Sequence, residues 1–376
     1  MIMGTLVTRI KPLETSVKAR VKNFKRWICS TTKPINLQFS NITHFYIHWE
    51  SNCHSGPFTA KVESEKQFIN VNVLSEELEG GFTHYFFYVP QALLQSDSIL
   101  SISDQSEKVI QKQTFDITRA ETFRVGFIAD NQFIYSKFYK ICRLLSSKKP
   151  NVIIHGGDSI QDYWKMHQWS TDYYSPILHA SKDLFKIPWA MVLGNHEATS
   201  SFVPPYHHEN RWYSFSQRNA YFIVLDSNRQ SDKRQYEWFI QEISSITFKK
   251  ATFRVVIVHI PPFIEYWEPE AWNRGESEWN RILREKYVPL FVKSRVDIVL
   301  SGHQHNYQRG KRNGVTYFIA GGAGGDLDTQ KVHDWNMYEK TLLDHHFLIL
   351  DIYANKLTIT TYDINNRIVD EVKIEK

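Results

Sequence analysis

The chain has 376 residues, of which 42% are hydrophobic and 23% are charged, values typical of a folded globular protein. This composition excludes disordered, collagen-like and low-complexity proteins, and the length favours two domains or one large domain with an appendage. No apolar stretch approaches the roughly 18 to 20 residues of a membrane-spanning helix, so no transmembrane segment is expected. Three cysteines, Cys29, Cys53 and Cys142, fit neither a disulfide framework nor a zinc motif and favour a reducing compartment.

Positive charge is concentrated at the start of the chain, although the net charge of the whole is +5. Residues 1–40 contain eight Lys and Arg residues against one acidic residue, Glu14, a local charge of +7, so the remainder carries −2. We interpret residues 1–33 as a basic N-terminal extension, with an organelle transit peptide as the alternative. The remainder gives no strong nucleic-acid signal. Because no secretory signal is evident, a cytoplasmic location is expected.

Residues 34–118 show the pattern of a small all-β domain. Short segments rich in β-branched and aromatic residues alternate polar and apolar positions, and Asn, Gly, Ser and Pro separate them. The predicted strands are Asn41–Trp49, Phe58–Val62, Phe68–Val73, Phe82–Val89 and Ile99–Ser103. Strands of this length and spacing are typical of a β-sandwich.

The pattern changes near Phe123, where apolar segments begin to alternate with amphipathic helices. The predicted strands are Phe123–Ala129, Val152–His155, Trp189–Leu193, Tyr221–Leu225, Phe253–Val258 and Val296–Leu300, and the predicted helices include Phe138–Ser146, Arg234–Ile246 and Glu278–Lys293. Strands that are apolar throughout are buried on both faces, which indicates an α/β domain over residues 119–376. The strand-rich end is predicted to extend its sheets through Gly314–Ala320, Phe347–Tyr353, Lys356–Tyr362 and Ile368–Ile374.

Polar side chains that bind hard metals follow the ends of five buried strands. They are Asp130, Asp158, the group Asn195, His196 and Glu197, then His259, and the pair His303 and His305. The carboxyl ends of strands in an open α/β sheet converge on the ligand crevice, so we expect these side chains to lie together. Glycines precede Asp158, Asn195 and His303, where they let the chain turn sharply and let a ligand approach the backbone.

This mixture of ligand types points to a particular chemistry. Carboxylate, amide and imidazole groups together suit Mn²⁺, Fe or Zn²⁺ and require no thiolate. One carboxylate can bridge two ions roughly 3.5 to 4 Å apart, as in phosphoester hydrolases. Each feature alone has a structural alternative, because an Asp can cap a helix and His259 can be a core histidine. Their joint occurrence at five strand ends favours a site for two metal ions.

Several other features have two interpretations. His155 lies within a buried strand and is interpreted as a core residue, while His207 and His208 either rim an entrance or are solvated loop residues. A set of aromatic residues forms either an aromatic wall at the mouth of the site or part of the helical core: Trp164, Trp169, Tyr173, Tyr174, Trp267, Trp272 and Trp279. The Gly321–Gly325 segment either cradles a phosphate or forms a tight turn after a strand, and we favour the turn.

Five motifs resemble the signature of the calcineurin-like metallophosphoesterases: Asp130, Gly157-Asp158, Gly194-Asn195-His196-Glu197, Val258-His259 and Gly302-His303-Gln304-His305. The match spans roughly residues 123–322 and is closest to the purple acid phosphatase-like branch. In that branch a fibronectin-III-like or immunoglobulin-like sandwich precedes the catalytic domain. The resemblance therefore implies a four-layer α/β/β/α sandwich of the α/β class, preceded by a small all-β sandwich.

The resemblance also implies a role for each site residue. Asp130, Asp158 and His305 would bind one metal ion, and Asn195, His259 and His303 would bind the second. Asp158 would bridge the two ions. His196 would contact the phosphoryl group and act as the general acid. The residues predicted to bind substrate are Asn195, His196 and Arg309.

Two positions depart from the family pattern. Gln132 stands two residues after Asp130, where the family has His or, in the purple enzymes, Gly. Its amide oxygen can ligate a hard metal, so Gln132 is a further predicted ligand. Gln161 stands where the purple enzymes have the tyrosine that ligates ferric iron and gives them their colour. With Tyr163 two residues further on, that tyrosinate is missing or displaced.

The leading functional hypothesis is a binuclear metal-dependent phosphatase that hydrolyses phosphomonoesters by attack of a metal-bound hydroxide. Its substrate would be a small-molecule or protein phosphoester, and its cofactors two ions of Mn, Fe or Zn. A phosphodiesterase or nuclease that uses the same site is an alternative, although the −2 charge of the body disfavours a long polyanion. A non-catalytic binding protein with a vestigial metal site is the third hypothesis.

Overall fold

The computed structural model describes residues 33–52, 56–65, 67–78, 81–117, 122–198, 203–204, 206–208 and 210–376. The basic extension up to residue 32, Cys29, Cys53 and the predicted boundary between residues 118 and 119 lie outside the described residues. Cys142 is a buried free thiol. Among the described helices, none combines the length and the apolar character that crossing a membrane requires.

The strands follow one another along the chain as β1 (Lys33–Phe39), β2 (His44–Ser51), β3 (Thr59–Ser64), β4 (Gln67–Asn72), β5 (Leu74–Leu78), β6 (Phe82–Pro90), β7 (Ser98–Ser103), β8 (Val109–Phe115), β9 (Phe123–Ile128), β10 (Val152–His155), β11 (Trp189–Met191), β12 (Tyr213–Gln217), β13 (Ala220–Leu225), β14 (Phe253–Val258), β15 (Ile298–Ser301), β16 (Tyr307–Arg312), β17 (Val315–Ala320), β18 (Tyr338–Leu342), β19 (His346–Tyr353), β20 (Lys356–Asp363) and β21 (Ile368–Glu375). The α-helices are α1 (Tyr135–Ser147), α2 (Ser175–Ala180), α3 (Lys233–Ser244), α4 (Ile246–Lys250), α5 (Pro269–Arg274) and α6 (Val288–Lys293). Wider helical turns over Trp169–Tyr174 and Leu283–Tyr287 lead directly into α2 and α6.

These strands form three sheets within the described part of the chain. The first sheet has the order β21-β20-β19-β9-β10-β11-β1-β2-β6-β5, and the second has the order β12-β13-β14-β15-β17-β16-β18. A third sheet, β4-β3-β7-β8, belongs to the N-terminal part alone. The strands that carry the site are parallel: β9, β10 and β11 pair in the first sheet, and β13, β14 and β15 in the second. Their carboxyl ends therefore point to the same edge.

Helices cover the outer faces of the two large sheets. In α1 the buried residues Phe138, Ile141, Cys142 and Leu145 recur at the spacing of one helix face, which packs on the first sheet. On the second sheet, α3 is capped at its N-terminus by Asp232, whose carboxylate accepts the backbone N–H of Arg234. One hydrophobic core lies beneath the helices on each outer face, and a further core lies between the two large sheets. This is the four-layer α/β/β/α arrangement, and together with the N-terminal β structure it confirms the predicted fold class.

Sheet pairing continues across the predicted division between residues 34–118 and 119–376. Strand β1 pairs with β2 on one side and runs parallel to β11 on the other, with Gln38 opposite Trp189. The sandwich formed by β1, β2, β5 and β6 with the third sheet therefore shares a sheet and a hydrophobic core with the α/β part. The structure thus gives the two parts a common framework, while their division into domains stays a prediction.

A buried polar cluster lies where this shared sheet meets the segment after β11. Lys33 is the first residue of β1, and its Nζ lies 2.6 Å from a carboxylate oxygen of Glu50 and 3.1 Å from the ring centroid of Tyr206. Four histidines, all at most 6% exposed, surround this pair: His48, His84, His207 and His208. His207 and His208 were predicted to be loop residues at an entrance or in solvent, and both expectations are wrong. They pack instead against Trp169 and Tyr213.

Acid is expected to destabilise the fold through these four histidines. Burial lowers the pKa of His84 and of His208 to about 3, and burial lowers the pKa values of His48 and His207 well below the usual range. In the unfolded chain their pKa values are near 6.5, so below that pH the unfolded state binds protons that the folded state rejects. For each histidine, the free energy of unfolding then falls by roughly 1.4 kcal/mol for every unit by which the pH drops, until the pH reaches the pKa of that histidine in the folded state.

Thermal unfolding at pH 7.5 and pH 5.5 should therefore differ by at least about 5 °C, with the lower Tm at the lower pH. Replacing His84 and His208 together by glutamine should shrink this difference, because two groups no longer titrate only in the unfolded state. The exposed residue His167 offers a control, and His167→Gln should leave the difference unchanged. Equal shifts in the double variant and the wild type would refute the assignment of the acid sensitivity to this cluster.

Candidate metal centre

The predicted site residues lie at the ends of five parallel strands. Asp130 follows β9, Asp158 follows β10, Asn195 follows β11, His259 follows β14, and His303 follows β15. Backbone bonds join the ends of neighbouring strands: the N–H of Asp130 donates to the carbonyl of Gly157, 3.0 Å away, and the N–H of Gly302 donates to that of His259. The two sheets thus bring the five side chains to one edge.

One half of the site is built around Asn195. Its Oδ1 lies 3.0 Å from Nε2 of His259 and 2.9 Å from Nδ1 of His303. Nε2 of His259 is also 3.1 Å from Oδ2 of Asp158. Ligand atoms of Asp158, His259 and His303 all lie within 4.8 Å of one another. These spacings suit donor atoms that surround a single metal ion.

The other half is built around Asp130. Nε2 of His305 lies 3.6 Å from Oδ1 of this carboxylate, which also accepts the backbone N–H of His303 at 2.9 Å. Gln132 reaches the same region, and its Nε2 lies 3.4 Å from Oδ2 of Asp158. The Oδ2 atom of Asp158 thus lies near both His259 and Gln132, so this carboxylate contacts both halves of the site.

Backbone carbonyls orient the imidazoles of His259 and His305. A carbonyl oxygen can only accept a hydrogen bond, so the ring nitrogen beside it carries a proton. Nδ1 of His259 donates to the carbonyl of Gly156 at 2.8 Å, and Nδ1 of His305 donates to that of Asp326 at 2.6 Å. In both residues Nε2 is left to face the carboxylates, which is the arrangement that supports metal-ligating histidines.

Charge coupling favours a bound cation. Although burial opposes a charged imidazole, the carboxylates of Asp158 and Asp130 raise the pKa of His259 to about 10. Burial also opposes a charged imidazole at His305, but the carboxylate of Asp130 raises the pKa of His305 to about 9. Burial, and then the charge of His259, lowers the pKa of His303 well below its usual range. Protons compete with metal ions for these nitrogens, so metal binding should release protons.

The backbone is strained at three of the predicted ligands. Asp130, Asp158 and His303 have φ angles of +58°, +55° and +69°, in the left-handed region that side chains other than glycine rarely adopt. Neighbouring glycines make room for these conformations. A Cβ atom at Gly194 would lie 2.1 Å from Oδ1 of Asp158, and one at Gly302 would lie 2.3 Å from Oδ2 of Asp130. At these two glycines, the groups that approach the backbone closely are therefore the carboxylates of two predicted ligands. Backbone strain of the kind seen at Asp130, Asp158 and His303 commonly marks functional sites.

His196 lies at the edge of the site and is partly open to solvent. Its Nε2 is 4.0 Å from Oδ2 of Asp158, and 34% of its side chain is exposed. Its Nδ1 donates to the backbone carbonyl of Gln161 at 2.9 Å, so Nε2 points towards the cleft. The carboxylate of the next residue, Glu197, accepts the backbone N–H of Asp158 at 2.9 Å.

The supporting role of Asn131 was missed at the level of sequence, and Glu197, which the sequence placed among the metal-binding polar residues, is also a supporting residue. Asn131 is buried between the predicted ligands Asp130 and Gln132, and its Nδ2 donates to the carbonyl of Ser159 at 2.9 Å. Its Oδ1 lies 2.6 Å from Nε2 of His155, which is buried as predicted for a core residue. Asn131 and Glu197 therefore hold the two ligand loops. Their positions close to predicted ligands in the sequence were the signal that could have identified them as supporting residues.

A cleft of about 580 Å³ opens over the site and is lined by Asp158, Asn195, His196, His303 and His305 together with Trp267 and Trp279. These two tryptophans agree with the aromatic wall, whereas Trp169, Tyr173 and Tyr174 are buried in the core beneath α1 and α2. Trp164 and Trp272 are not among the residues that line the cleft. Trp272 packs against the core of the second sheet, and Trp164 is exposed, so it fits neither interpretation.

Arg309 and the glycine segment contribute in other ways. The Arg309 guanidinium binds Asp370, 2.7 Å away, and Glu339, and it is not among the residues that line the cleft. Its contact with substrate stays a prediction, which these ion pairs do not support. The N–H groups of Gly324 and Gly325 donate to the carbonyl of Asp130 at 3.0 and 2.8 Å. This segment is a turn after β17 that supports a predicted ligand, in agreement with the favoured interpretation.

The residues present fit a metal pair. Two buried side-chain atoms, Oε1 of Gln132 and Nε2 of His303, have no hydrogen-bond partner among the described residues. Nε2 of His259 faces two oxygen acceptors, so a cation is required there, either a proton or a metal ion. Carboxylate, amide and imidazole donors without thiolate suit Mn²⁺, Fe or Zn²⁺.

Comparisons with known proteins agree with this geometry. Residues 123–307 match the model of the calcineurin-like phosphoesterase family. Purple acid phosphatase 1 of Ipomoea batatas is 31% identical over 201 residues, which cover 46% of this chain and 40% of that protein. The Fe(3+)-Zn(2+) purple acid phosphatase 12 of Arabidopsis thaliana is 30% identical over 159 residues, covering 36% and 32%. The chain thus spans well under half the length of these relatives.

A solved purple acid phosphatase from yellow lupin (Lupinus luteus) seeds superposes with a TM-score of 0.74 at 16% identity, covering 91% of this chain and 74% of that one. At this identity the likeness shows a shared fold. Residues 123–307 therefore form a calcineurin-like phosphoesterase domain. The predicted resemblance to the purple acid phosphatase-like branch is confirmed, and the N-terminal β structure accompanies the domain.

Proposed function

We propose that this chain is a metal-dependent phosphatase that hydrolyses phosphomonoesters at a binuclear centre. The observation that carries this proposal is the convergence of two carboxylates, two amides and three imidazoles from five strand ends at one edge of the two sheets, where a cleft is lined by Asp158, Asn195, His303 and His305. The family and the fold support it. The name of one relative specifies an Fe(3+)-Zn(2+) pair, which this donor set would also accommodate.

The distances support a division of ligands between two ions. Asp130 and His305, with Gln132 as an additional oxygen donor, would hold the first ion. A second group formed by Asn195, His259 and His303 would hold the other ion, with Asp158 shared between them. When bound, the two ions would neutralise phosphoryl oxygens and supply a water molecule of lowered pKa for in-line attack on phosphorus.

Side chains of the protein would position the phosphoryl group and supply the proton that the leaving alcohol needs. Asn195 and His196 place an amide and an imidazole beside the phosphoryl position in the cleft. Because the Gln161 carbonyl holds Nδ1 of His196, Nε2 is the nitrogen that can donate a proton to the departing alcohol oxygen. Trp267 stacks on His303 with ring centroids 4.6 Å apart and shields this ligand from water.

The alternatives receive less support. A nuclease would bind a polyanion through basic residues, yet Arg274 is the only Lys or Arg among the described residues that line the cleft. A vestigial site would be expected to have lost ligands, yet Asp130, Asp158, Asn195, His259, His303 and His305 are all present and close together.

Removing metal should abolish hydrolysis, and restoring it should bring hydrolysis back. We expect protein treated with a chelator and dialysed to be inactive on p-nitrophenyl phosphate, because the site then lacks both charge neutralisation and an activated water molecule. Adding Mn²⁺ should restore activity on this monoester and give slower turnover of bis(p-nitrophenyl) phosphate. Full activity of the stripped protein, or none after addition of Mn²⁺, Zn²⁺ and Fe, would contradict the proposal.

Iron-loaded protein should lack the intense visible absorption that a tyrosinate–iron bond produces. Gln161 occupies the position of that tyrosine and uses its backbone carbonyl to hold His196. Tyr163 is not among the residues that line the cleft. An absorption spectrum of the iron form would check this expectation. A strong purple band that disappears in Tyr163→Phe would show that Tyr163 ligates the iron.

A further inference from the structure

An aromatic surface extends from a predicted metal ligand to the mouth of the cleft. The Trp267 ring stacks on the His303 imidazole at 4.6 Å between centroids. The Trp279 ring lies 5.6 Å from the same imidazole and 6.3 Å from Trp267, and it is 37% exposed. An alcohol esterified to a phosphoryl group at the centre would therefore lie along this indole surface.

Acidic groups border the same surface. The residues lining the cleft include the carboxylates of Glu268, Glu276, Asp326 and Asp328, against the single guanidinium of Arg274. Glu276 accepts the indole N–H of Trp267, and is thereby held at the wall. The Arg274 side chain is 70% exposed and lies 3.9 Å from Glu270. Beyond the metal ligands, negative charge therefore dominates the cleft.

Hydrogen bonds fix this wall to the loop that carries the ligands. Oε1 of Gln304 accepts the backbone N–H groups of Glu265 and Tyr266, each at 3.0 Å. Because Gln304 lies between His303 and His305, the wall and the predicted metal ligands share one rigid support. The fold thus fixes the distance between the expected phosphoryl position and the aromatic surface formed by Trp267 and Trp279.

This arrangement selects among leaving groups. The bound metal ions and His196 would meet the phosphoryl charges, so the carboxylates at the wall would face the alcohol part of the ester. A second anionic group on that alcohol would be repelled by them. An ammonium group would be attracted both by the carboxylates and by the electron-rich face of Trp279.

Resting on the proposed function, we propose that the preferred substrate is a phosphomonoester of an amino alcohol, whose ammonium or trimethylammonium group sits against Trp279 beside Glu268 and Asp326. Hydrolysis breaks the bond between phosphorus and the alcohol oxygen and forms one between phosphorus and a water oxygen. The alcohol leaves with a proton from His196, and the water proton returns to the site. The products are the amino alcohol and inorganic phosphate.

Two isosteric substrates test the charge directly. The metal-loaded full chain is assayed with choline phosphate and with its carbon isostere, dimethylbutyl phosphate, which has the same shape and no positive charge. We expect kcat/KM to be at least about fivefold higher for choline phosphate. Phosphoglycolate, which carries an additional carboxylate, should be slower than the neutral isostere.

Variants of Glu268 and Trp279 test whether the acidic and aromatic side chains of the cleft cause the preference for choline phosphate. Glu268→Gln should lower the ratio of choline phosphate to isostere, and Trp279→Ala should lower it further. Glu270 provides a matched control, because it lies two residues after Glu268 in the first turn of α5, its side chain is 93% exposed and it does not line the cleft. Glu270→Gln should keep the ratio of the wild type. Each ratio is internal to one protein preparation, so differences in folding or metal content cancel.

The outcomes separate this inference from the proposed function. Hydrolysis of p-nitrophenyl phosphate with a ratio near one, or with a preference for phosphoglycolate, would overturn the inference and leave the phosphatase proposal intact. A ratio that Glu268→Gln and Trp279→Ala do not change would overturn it as well, as would faster turnover of an arginine-flanked phosphoserine peptide than of choline phosphate. Absence of hydrolysis of every ester would contradict the proposed function and the inference with it.

Discussion

Replacing His259 or His303 by alanine is expected to lower kcat by about a thousandfold or more, equivalent to roughly 4 kcal/mol of transition-state stabilisation. Both imidazoles face the Oδ1 atom of Asn195, at 3.0 and 2.9 Å, so either change removes a donor from the same ion. The remaining donors would bind that ion weakly, and its charge would no longer be available to the phosphoryl group. The measurement is kcat on p-nitrophenyl phosphate at saturating substrate, together with metal content.

His259→Ala is the more direct of the two variants. His303 has a φ of +69°, and alanine tolerates this conformation poorly, so His303→Ala also strains the backbone. Circular dichroism and Tm distinguish this strain from loss of the ligand. His167→Ala provides a control at an exposed histidine that should keep both activity and metal. Near-normal kcat in His259→Ala would mean that this residue is not a ligand of a catalytic ion.

His196→Ala is expected to keep a normal metal content and to lose a factor of about a hundred or more in kcat for esters of poor leaving groups. A general acid typically contributes about 10² to 10⁴ in rate, and the structure leaves Nε2 of His196 free to face the cleft. Alkoxides need this proton when they leave. p-Nitrophenolate needs it much less, so the loss on p-nitrophenyl phosphate should be smaller.

The comparison of two leaving groups makes the role of His196 specific. Equal losses on an alkyl phosphate and on p-nitrophenyl phosphate would indicate that His196 binds the phosphoryl group without protonating the alcohol. Loss of metal in the variant would indicate that it is a ligand. His196→Gln is a useful companion, because it retains a hydrogen-bond donor of similar reach but cannot transfer a proton.

The main strands and the candidate ligands could be predicted because their signals are local. Val152–His155 and Phe253–Val258 were predicted with the bounds that the structure shows, since fully apolar strands bounded by Gly and polar residues stand out from their surroundings. Polar residues placed directly after such strands then share an edge by the geometry of parallel sheets. The convergence of Asp130 and Asp158 follows from that rule, because β9 and β10 are neighbours in one sheet, whereas His259 joins them through the packing of the second sheet on the first.

Features that depend on distant contacts were not predictable in the same way. Strands β1, β5, β8, β12, β16 and β18 were missed. The pairing of β1 with β11 joins residues about 150 positions apart in sequence, which no local pattern encodes. The group that holds His196 is a backbone carbonyl, that of Gln161, which has no residue signature. The resemblance implied that Arg309 binds substrate, but no local pattern could show that its guanidinium pairs with Asp370 in the distant strand β21.

Metal stoichiometry tests the central claim most directly. Metal-free protein would be titrated with Mn²⁺ and with Zn²⁺, and the bound metal counted by mass spectrometry after gel filtration, for the wild type and for His259→Ala. The binuclear centre predicts two ions per chain in the wild type and the loss of one in the variant, because Asp130, Asp158 and His305 remain to hold the other. A wild-type protein that binds no metal, or one that binds a single ion unaffected by His259→Ala, would contradict it.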